Sequence, residues 1–254
     1  MIHVTGEDGR MLTPAKRHLE DLPADHPCAG CKVRDKAVCG VLDCADLTSF
    51  KSLGRTVRLS SGQVLFHEGD PVSRVFTLTT GTLKLYNLLA DGRCHVAGFV
   101  SPGDFLGISM DDEHVFSAEA VEASQLCWFP RTRFDGFVED HSPMERELYR
   151  MAAHELASAH QQMMLLGRKT AIERLATFLI VLAGRAAGTS DSVGTMVQLP
   201  MSRSDIADYL GLTKETVSRV LSSFRRDHLI RLCSVHQIEI LELRRLELLA
   251  ASGA

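Results

Sequence analysis

The chain lacks any apolar run approaching the roughly 20 residues that a membrane-spanning helix requires. Its first residues, MIHVTGEDGRMLTPAKRHLE, also lack the apolar stretch of a secretory signal. No sequence-identical repeat is evident. An even cysteine set is missing too. There are seven cysteines in 254 residues, a length that can bury a core without covalent staples. A disulfide framework is therefore not expected, and reduced thiols in a cytoplasm are. The net charge of −4 shows no overall basic excess, but DNA binding depends on local charge rather than the total. Between Met201 and Leu232, Arg203, Lys214, Arg219, Arg225, Arg226 and Arg231 outnumber Asp205, Asp208, Glu215 and Asp227.

What is present divides the chain in two. From Leu47 to about Phe134, short β-type segments alternate with turn signals at Ser61-Gly62, Gly69-Asp70-Pro71, Gly81, Asp91-Gly92, Pro102-Gly103-Asp104 and Gly107. Runs such as Arg74–Leu78 and Thr82–Tyr86 carry β-branched and aromatic residues at strand length. This spacing predicts a small antiparallel barrel or roll. Residues before about 27 show no clear period and are expected to be poorly structured.

The period changes at Ser142-Pro143, where the serine is expected to cap a helix and the proline to suit its first turn. Neither proline nor glycine interrupts the chain from Met144 to Leu166. Met144, Leu148, Met151, Ala152, Leu156, Ala159, Met163 and Leu166 form one stripe. Such a stripe either packs on its own barrel or forms a dimer seam, and its length and narrow Met/Leu/Ala character suit a coiled-coil contact. Glu155 and Gln162 lie beside it. A second helix is expected from about Thr170 to Ala186, a flexible loop at Gly188–Gly194, and a strand passing into a helix over Ile238–Leu249.

The segment Ser202–Asp227 reads as a helix-turn-helix. Ser202 and Asp205 stand in capping-box relation, so a helix should begin near Arg203. Ile206, Ala207 and Leu210 form its inner face, Gly211 permits the turn, and Thr213 caps the second helix. Val217, Val220, Leu221 and Phe224 face the core. Glu215, Ser218, Arg219 and Ser222 repeat that spacing on the outside, where a recognition helix meets base edges. Arg can bind guanine O6 and N7, and Glu can accept from cytosine N4. Lys214, Arg225 and Arg226 are placed for phosphates, which orient a protein on DNA without reading sequence.

Near the N-terminus stands Cys28-x2-Cys31-x7-Cys39-x4-Cys44. Thiolates at such short spacings bind soft metals, because one loop can aim several sulfurs at one point. The spacing leaves open a local four-thiolate zinc site and a metal-free thiol switch. Cys94 and Cys233 have no nearby partners and are expected to be structural. An isolated strand cysteine such as Cys127 is ordinarily a small buried hydrophobe.

Glu215-Thr216-Val217-Ser218-Arg219, with Gly211-Leu212-Thr213, Ala171-Ile172-Glu173-Arg174-Leu175-Ala176 and Gly81–Tyr86, resembles the fumarate-and-nitrate-reductase regulator (FNR) branch of the cyclic-AMP receptor protein superfamily. The likeness is to the FnrN/FixK type and spans about residues 28 to 240. It implies an α+β protein in four parts. These are a cysteine-rich segment to residue 45, a β-roll over 46–140, a long dimerisation helix over 141–168, and a winged helix-turn-helix over 169–254. It also implies that Glu215, Ser218 and Arg219 read a TTGAT-type half-site of a palindromic operator, with Ser202, Arg203, Thr213 and Lys214 nearby on the DNA.

Cys28, Cys31 and Cys39 are similar to the N-terminal ligand set of the oxygen-sensing members, and Cys127 occupies the place of their fourth ligand to a [4Fe-4S] cluster. The implied protein is a homodimeric, oxygen-responsive regulator without catalytic activity, with RNA polymerase as a further partner. A cyclic nucleotide is not expected. Gly107–Glu113 departs from the family's phosphate-binding cassette, and no Lys or Arg occurs from Asp104 to Pro130. Haem on His67, His95 or His114 is a weaker reading. So is an iron–sulfur or thiol-redox enzyme, since no Gly-rich phosphate loop or Cys/His catalytic pair is present.

Overall fold

The computed structural model describes residues 22–23, 25–107, 112–186 and 195–251. The segment before residue 27, the loop 188–194 and most of Gly107–Glu113 therefore fall largely or wholly outside the described residues. Among the described residues, the chain opens with two 3-10 turns, Arg34–Lys36 and Val38–Val41, and the helix α1, Cys44–Leu53. Asp43 starts α1 by accepting the Asp46 amide at 2.9 Å.

Eight strands then form the roll: β1 (Arg55–Leu59), β2 (Val64–Phe66), β3 (Arg74–Thr80), β4 (Leu83–Leu88), β5 (Cys94–Val100), β6 (Phe105–Leu106), β7 (Ser117–Ala120) and β8 (Ser124–Pro130). They make two four-stranded sheets, ordered β1-β8-β3-β6 and β2-β7-β4-β5, with every pair antiparallel. Turn signals at Gly62, Gly69, Gly81 and Gly92 fall between successive strands.

Period-2 alternation gives the first sheet two working faces. On β3 and β8, Phe76, Leu78, Leu126 and Trp128 point into the core between the sheets. Val75, Cys127 and Phe129 point the other way, into a second core with the cysteine segment. Phe50 of α1 fills that core, stacked on Phe129 at a centroid separation of 4.2 Å. Full burial of such a ring contributes about 1.5–3 kcal/mol. The close approach needs Gly54, because a Cβ there would lie 2.4 Å from the Phe129 ring.

The expected β region runs from Leu47 to Phe134, but Leu47 lies in α1 and Phe134 in α2 (Arg131–Glu139). Both helices are short, and their apolar residues serve one buried face each. Next comes α3, Ser142–Arg168, 27 residues long. Ser142 is not its cap. His141 takes the N-cap position without a side-chain cap bond, and its Nδ1 instead meets the Phe137 carbonyl at 2.6 Å.

The C-terminal part contains α4 (Ala171–Ala186), β9 (Thr195–Gln198), α5 (Arg203–Leu210), α6 (Lys214–Arg226), β10 (Ile230–Ser234), β11 (Gln237–Ile240) and α7 (Leu243–Ala251). The three strands pair in the order β10-β11-β9 and form the wing. A reciprocal box starts α4, since Glu173 accepts the Thr170 amide at 2.7 Å and Thr170 accepts the Glu173 amide at 3.4 Å. Among the described residues, no helix is long and apolar enough to cross a membrane.

Candidate nucleic-acid interface and cysteine pocket

The helix-turn-helix forms as its caps require. Ser202 accepts the Asp205 amide at 3.1 Å, and Asp205 accepts the Ser202 amide at 2.9 Å. Gly211 ends α5 at φ 61°, a left-handed conformation that side chains with a Cβ resist. Thr213 caps α6 by accepting the Thr216 amide at 3.2 Å. Ile206, Ala207, Leu210, Val217, Val220, Leu221 and Phe224 are all buried in one core.

Glu215, Ser218 and Arg219 consequently stand exposed near the start of α6, with Lys214 beside them. Arg219 donates to the Thr216 hydroxyl at 3.1 Å, a bond that a base can replace at little cost. The hydroxyls of Ser202 and Thr213 are engaged as helix caps. Arg203 behaves differently from its neighbours. Its guanidinium is half-buried and donates at 3.5 Å to the Val235 carbonyl at the wing turn, while Nη1 is buried without a partner. Arg203 thus contacts the wing turn, unlike Lys214, Glu215 and Arg219.

We expect Arg219→Ala to cost about 1–3 kcal/mol at a palindromic operator and to relax preference at one guanine. Lys214→Ala should weaken all sequences alike and flatten the salt dependence. Binding titrations over base variants and salt check both. A uniform loss with Arg219→Ala would reassign that residue to phosphate.

Contacts that the sequence did not foretell join this unit to the rest of the chain. Arg174 donates to the carbonyls of Leu166 (2.8 Å), Lys169 (2.9 Å) and Leu210 (2.9 Å), fixing the end of α3 against the turn of the reader. Gln162 of α3 donates to the Tyr209 carbonyl at 2.9 Å. Lys84 of the roll bridges Asp205 at 3.1 Å and Glu119 at 3.2 Å. Burial would raise the Asp205 carboxyl, but its bonds from Ser202 and Lys84 overcome that and hold it below its ordinary value.

The α3 stripe splits. Met144 is fully buried against the cysteine segment's core, and Leu148 and Met151 pack beside it. Leu166 joins the C-terminal core. Between these ends Ala152, Leu156, Ala159 and Met163 are exposed, and Tyr149 lies one heptad before Leu156. Positions 149, 152, 156, 159 and 163 alternate by three and four residues, the spacing of a coiled-coil seam.

Cys28, Cys31, Cys39 and Cys127 line one cavity, closed by Val33, Ala37, Leu47, Phe50 and Phe129 and flanked by Arg34 and Lys51. Buried Val38 and Leu42 anchor the segment, while the Cys31 amide donates to the Cys28 carbonyl at 3.3 Å. Burial first, and then the neighbouring cysteines, push the Cys39 thiol up to about 12. Burial also raises Cys28, with Lys51 pulling the other way. Four clustered sulfurs in an apolar wall match the ligand set that iron–sulfur clusters take.

Among the described residues, no three Cys, His, Asp or Glu side chains are arranged to hold a single metal ion. A cluster asks less convergence, because each thiolate binds its own iron. Cys44 begins α1 and is not among the residues lining the cavity, though it packs against the same core. Cys233 is exposed on β10.

Comparison with known proteins agrees with this architecture. The model of the Crp-like helix-turn-helix domain matches residues 173–249, and that of the cyclic nucleotide-binding domain matches residues 56–141. The nitrogen fixation regulation protein FixK of Bradyrhizobium diazoefficiens is 42% identical over 231 residues, covering 91% of this chain and 96% of that one. The transcriptional activatory protein AadR of Rhodopseudomonas palustris is 40% identical over 222 residues, covering 87% and 92%. The solved structure of FixK2 from Bradyrhizobium japonicum superposes with a TM-score of 0.73 at 35% identity, covering 79% of this chain and 99% of that one. The chain is a DNA-binding transcription regulator rather than an enzyme, and it belongs to the CRP/FNR family, in the FixK-type branch.

Proposed function

We propose that this regulator is an oxygen-responsive cytoplasmic homodimer. In this reading a [4Fe-4S] cluster on Cys28, Cys31, Cys39 and Cys127 controls dimerisation and binding to a TTGAT-type palindrome. The observation that carries it is the shared cavity: three cysteines of the N-terminal segment meet Cys127 of β8 there. The same core contains Met144, with Leu148 and Met151 packed against it, so the cysteine segment rests directly on the first half of α3. A bound cluster would supply iron–thiolate bonds from Cys28, Cys31, Cys39 and Cys127 that tie this segment to the roll, together with a centre that is labile to oxidation.

The residues then act in sequence along α3. Four thiolates held together keep Val38 and Leu42 seated, which fixes the first turns of α3. The exposed Tyr149/Leu156/Met163 face pairs with the same face of a second copy. Paired α3 helices hold two α6 helices about 34 Å apart, one DNA turn, through Arg174 and Gln162. Loss of the tether frees the segment and loosens the pair.

The reading assigns no cyclic nucleotide to the roll. Glu68, Asp112 and Glu113 share a surface cleft there that would repel a phosphate. It retains RNA polymerase as a further partner.

The test is analysis of protein purified without oxygen. Iron and sulfide near four of each per chain, with a brown colour that bleaches in air, is the expected result. Zinc without sulfide would overturn the cluster.

A further inference from the structure

The cysteine cavity has a residue that neither the family likeness nor the motif reading singled out. Lys51 follows Phe50 on α1, and the stacking of Phe50 on Phe129 seats that helix over β8. Cys127 lies two residues before Phe129, on the same face of the strand. Lys51 Nζ therefore reaches Cys127 Sγ, donating at 3.3 Å. Its second contact is the Thr56 hydroxyl at 3.5 Å, and Thr56 is the direct cross-strand neighbour of Cys127. The other cation of the cavity, Arg34, pairs with exposed Asp35 at 3.5 Å. Among the described residues, Lys51 thus bonds a candidate ligand sulfur directly.

Four thiolates outweigh the charge of a [4Fe-4S] core, so a loaded site is net negative in a cavity walled mainly by Val33, Ala37, Leu47, Phe50 and Phe129, with Thr77 and Thr79 also lining it. Such charge is costly in an apolar wall unless a partner offsets it. Hydrogen bonds to the sulfurs and local charge are also what set the reduction potential of an iron–sulfur site.

We propose that Lys51 is a positioning residue of the cluster site: its ammonium holds the Cys127 thiolate in place and opposes oxidation of the loaded site. The proposal rests on the cluster reading above. Loss of one electron to dioxygen, which becomes superoxide, leaves the site more positive. An ammonium against a ligand sulfur raises the cost of that loss, so Lys51 lengthens survival in air and raises the reduction potential.

The test compares wild type, Lys51→Met and Lys51→Arg as full-length chains purified without oxygen. Iron and sulfide content, redox titration without oxygen, and the decay of visible absorption after air are measured on each. Lys51→Met is expected to bleach roughly three- to tenfold faster than wild type and to titrate at a lower potential. Lys51→Arg, which keeps the charge, should stay close to wild type in both. A Lys51→Met protein that fails to load while Lys51→Arg loads supports the same role. Equal bleaching and equal potential in loaded Lys51→Met and wild type would overturn the proposal while leaving the cluster intact. Lys51→Arg behaving as Lys51→Met would overturn the part played by charge. Wild type without iron and sulfide would instead overturn the cluster reading on which the proposal stands.

Discussion

Cys127→Ala purified without oxygen will contain almost no iron or sulfide, whereas Cys44→Ala will stay near wild type. The two residues are a natural pair of controls, because both pack against the core that holds the cysteine segment, yet only Cys127 lines the cavity. Removing one of four thiolates leaves an incomplete, labile cluster. The fold should survive the change. Leu126 and Trp128 secure β8 from the opposite face, and losing one sulfur from a partly buried position that already borders a cavity opens little space. Iron, sulfide and zinc content of both variants is the measurement. Zinc lost on changing Cys44 but retained on changing Cys127 would mean a local four-thiolate site, confined to the segment.

Met163→Glu should leave a folded chain that is mostly monomeric and binds operator at least about tenfold more weakly. Met163 is 61% exposed at the C-terminal end of the exposed α3 face, so the carboxylate meets only solvent in the single chain. In a two-fold pair it faces its own copy, and like charges across a closed contact are strongly unfavourable. The loss of affinity follows from losing the second half-site, which binds at high effective concentration only while the two chains are joined. Leu148 would be a poor choice for the same experiment. It packs against the chain's own core with Met144, so a charge there would disturb the cysteine segment directly. Sedimentation velocity decides the matter, and a dimeric Met163→Glu protein would contradict this use of α3.

The DNA reader was legible almost residue by residue because its signals are local. Ser202 with Asp205, Gly211 and Thr213 each act within four residues, and the i, i+3, i+4 apolar set leaves only one outer face. The roll was legible as a class, since glycine-marked turns recur between strands. Helices α1 and α2 were not, because their few apolar residues serve contacts with distant strands rather than a long stripe. Asp43 before Asp46 was the local signal that could have marked α1.

The α3 stripe shows the limit of periodicity most clearly. Spacing places Met144, Leu148 and Met163 on similar faces, but what each end meets is a tertiary fact. Cys127, reached only through the family resemblance, and Lys51, which no sequence signal marks, depend on tertiary contacts in the same way. Strand register brings Cys127 to the cavity, and helix docking brings Lys51 to Cys127, across 76 residues of sequence. Arg174 stood in a recognised motif, yet its carbonyl partners come from α3, its C-terminal cap, α5 and the Gly211 turn.

In the proposed mechanism the state of the cysteine site sets DNA binding through α3. Its most direct measurement is operator binding by gel shift on one preparation, before and after air, with iron and sulfide assayed in parallel. Tight, palindrome-dependent binding is expected while the cluster is intact, falling in step with sulfide as the sample bleaches. Binding that stays constant while iron and sulfide disappear would contradict that mechanism.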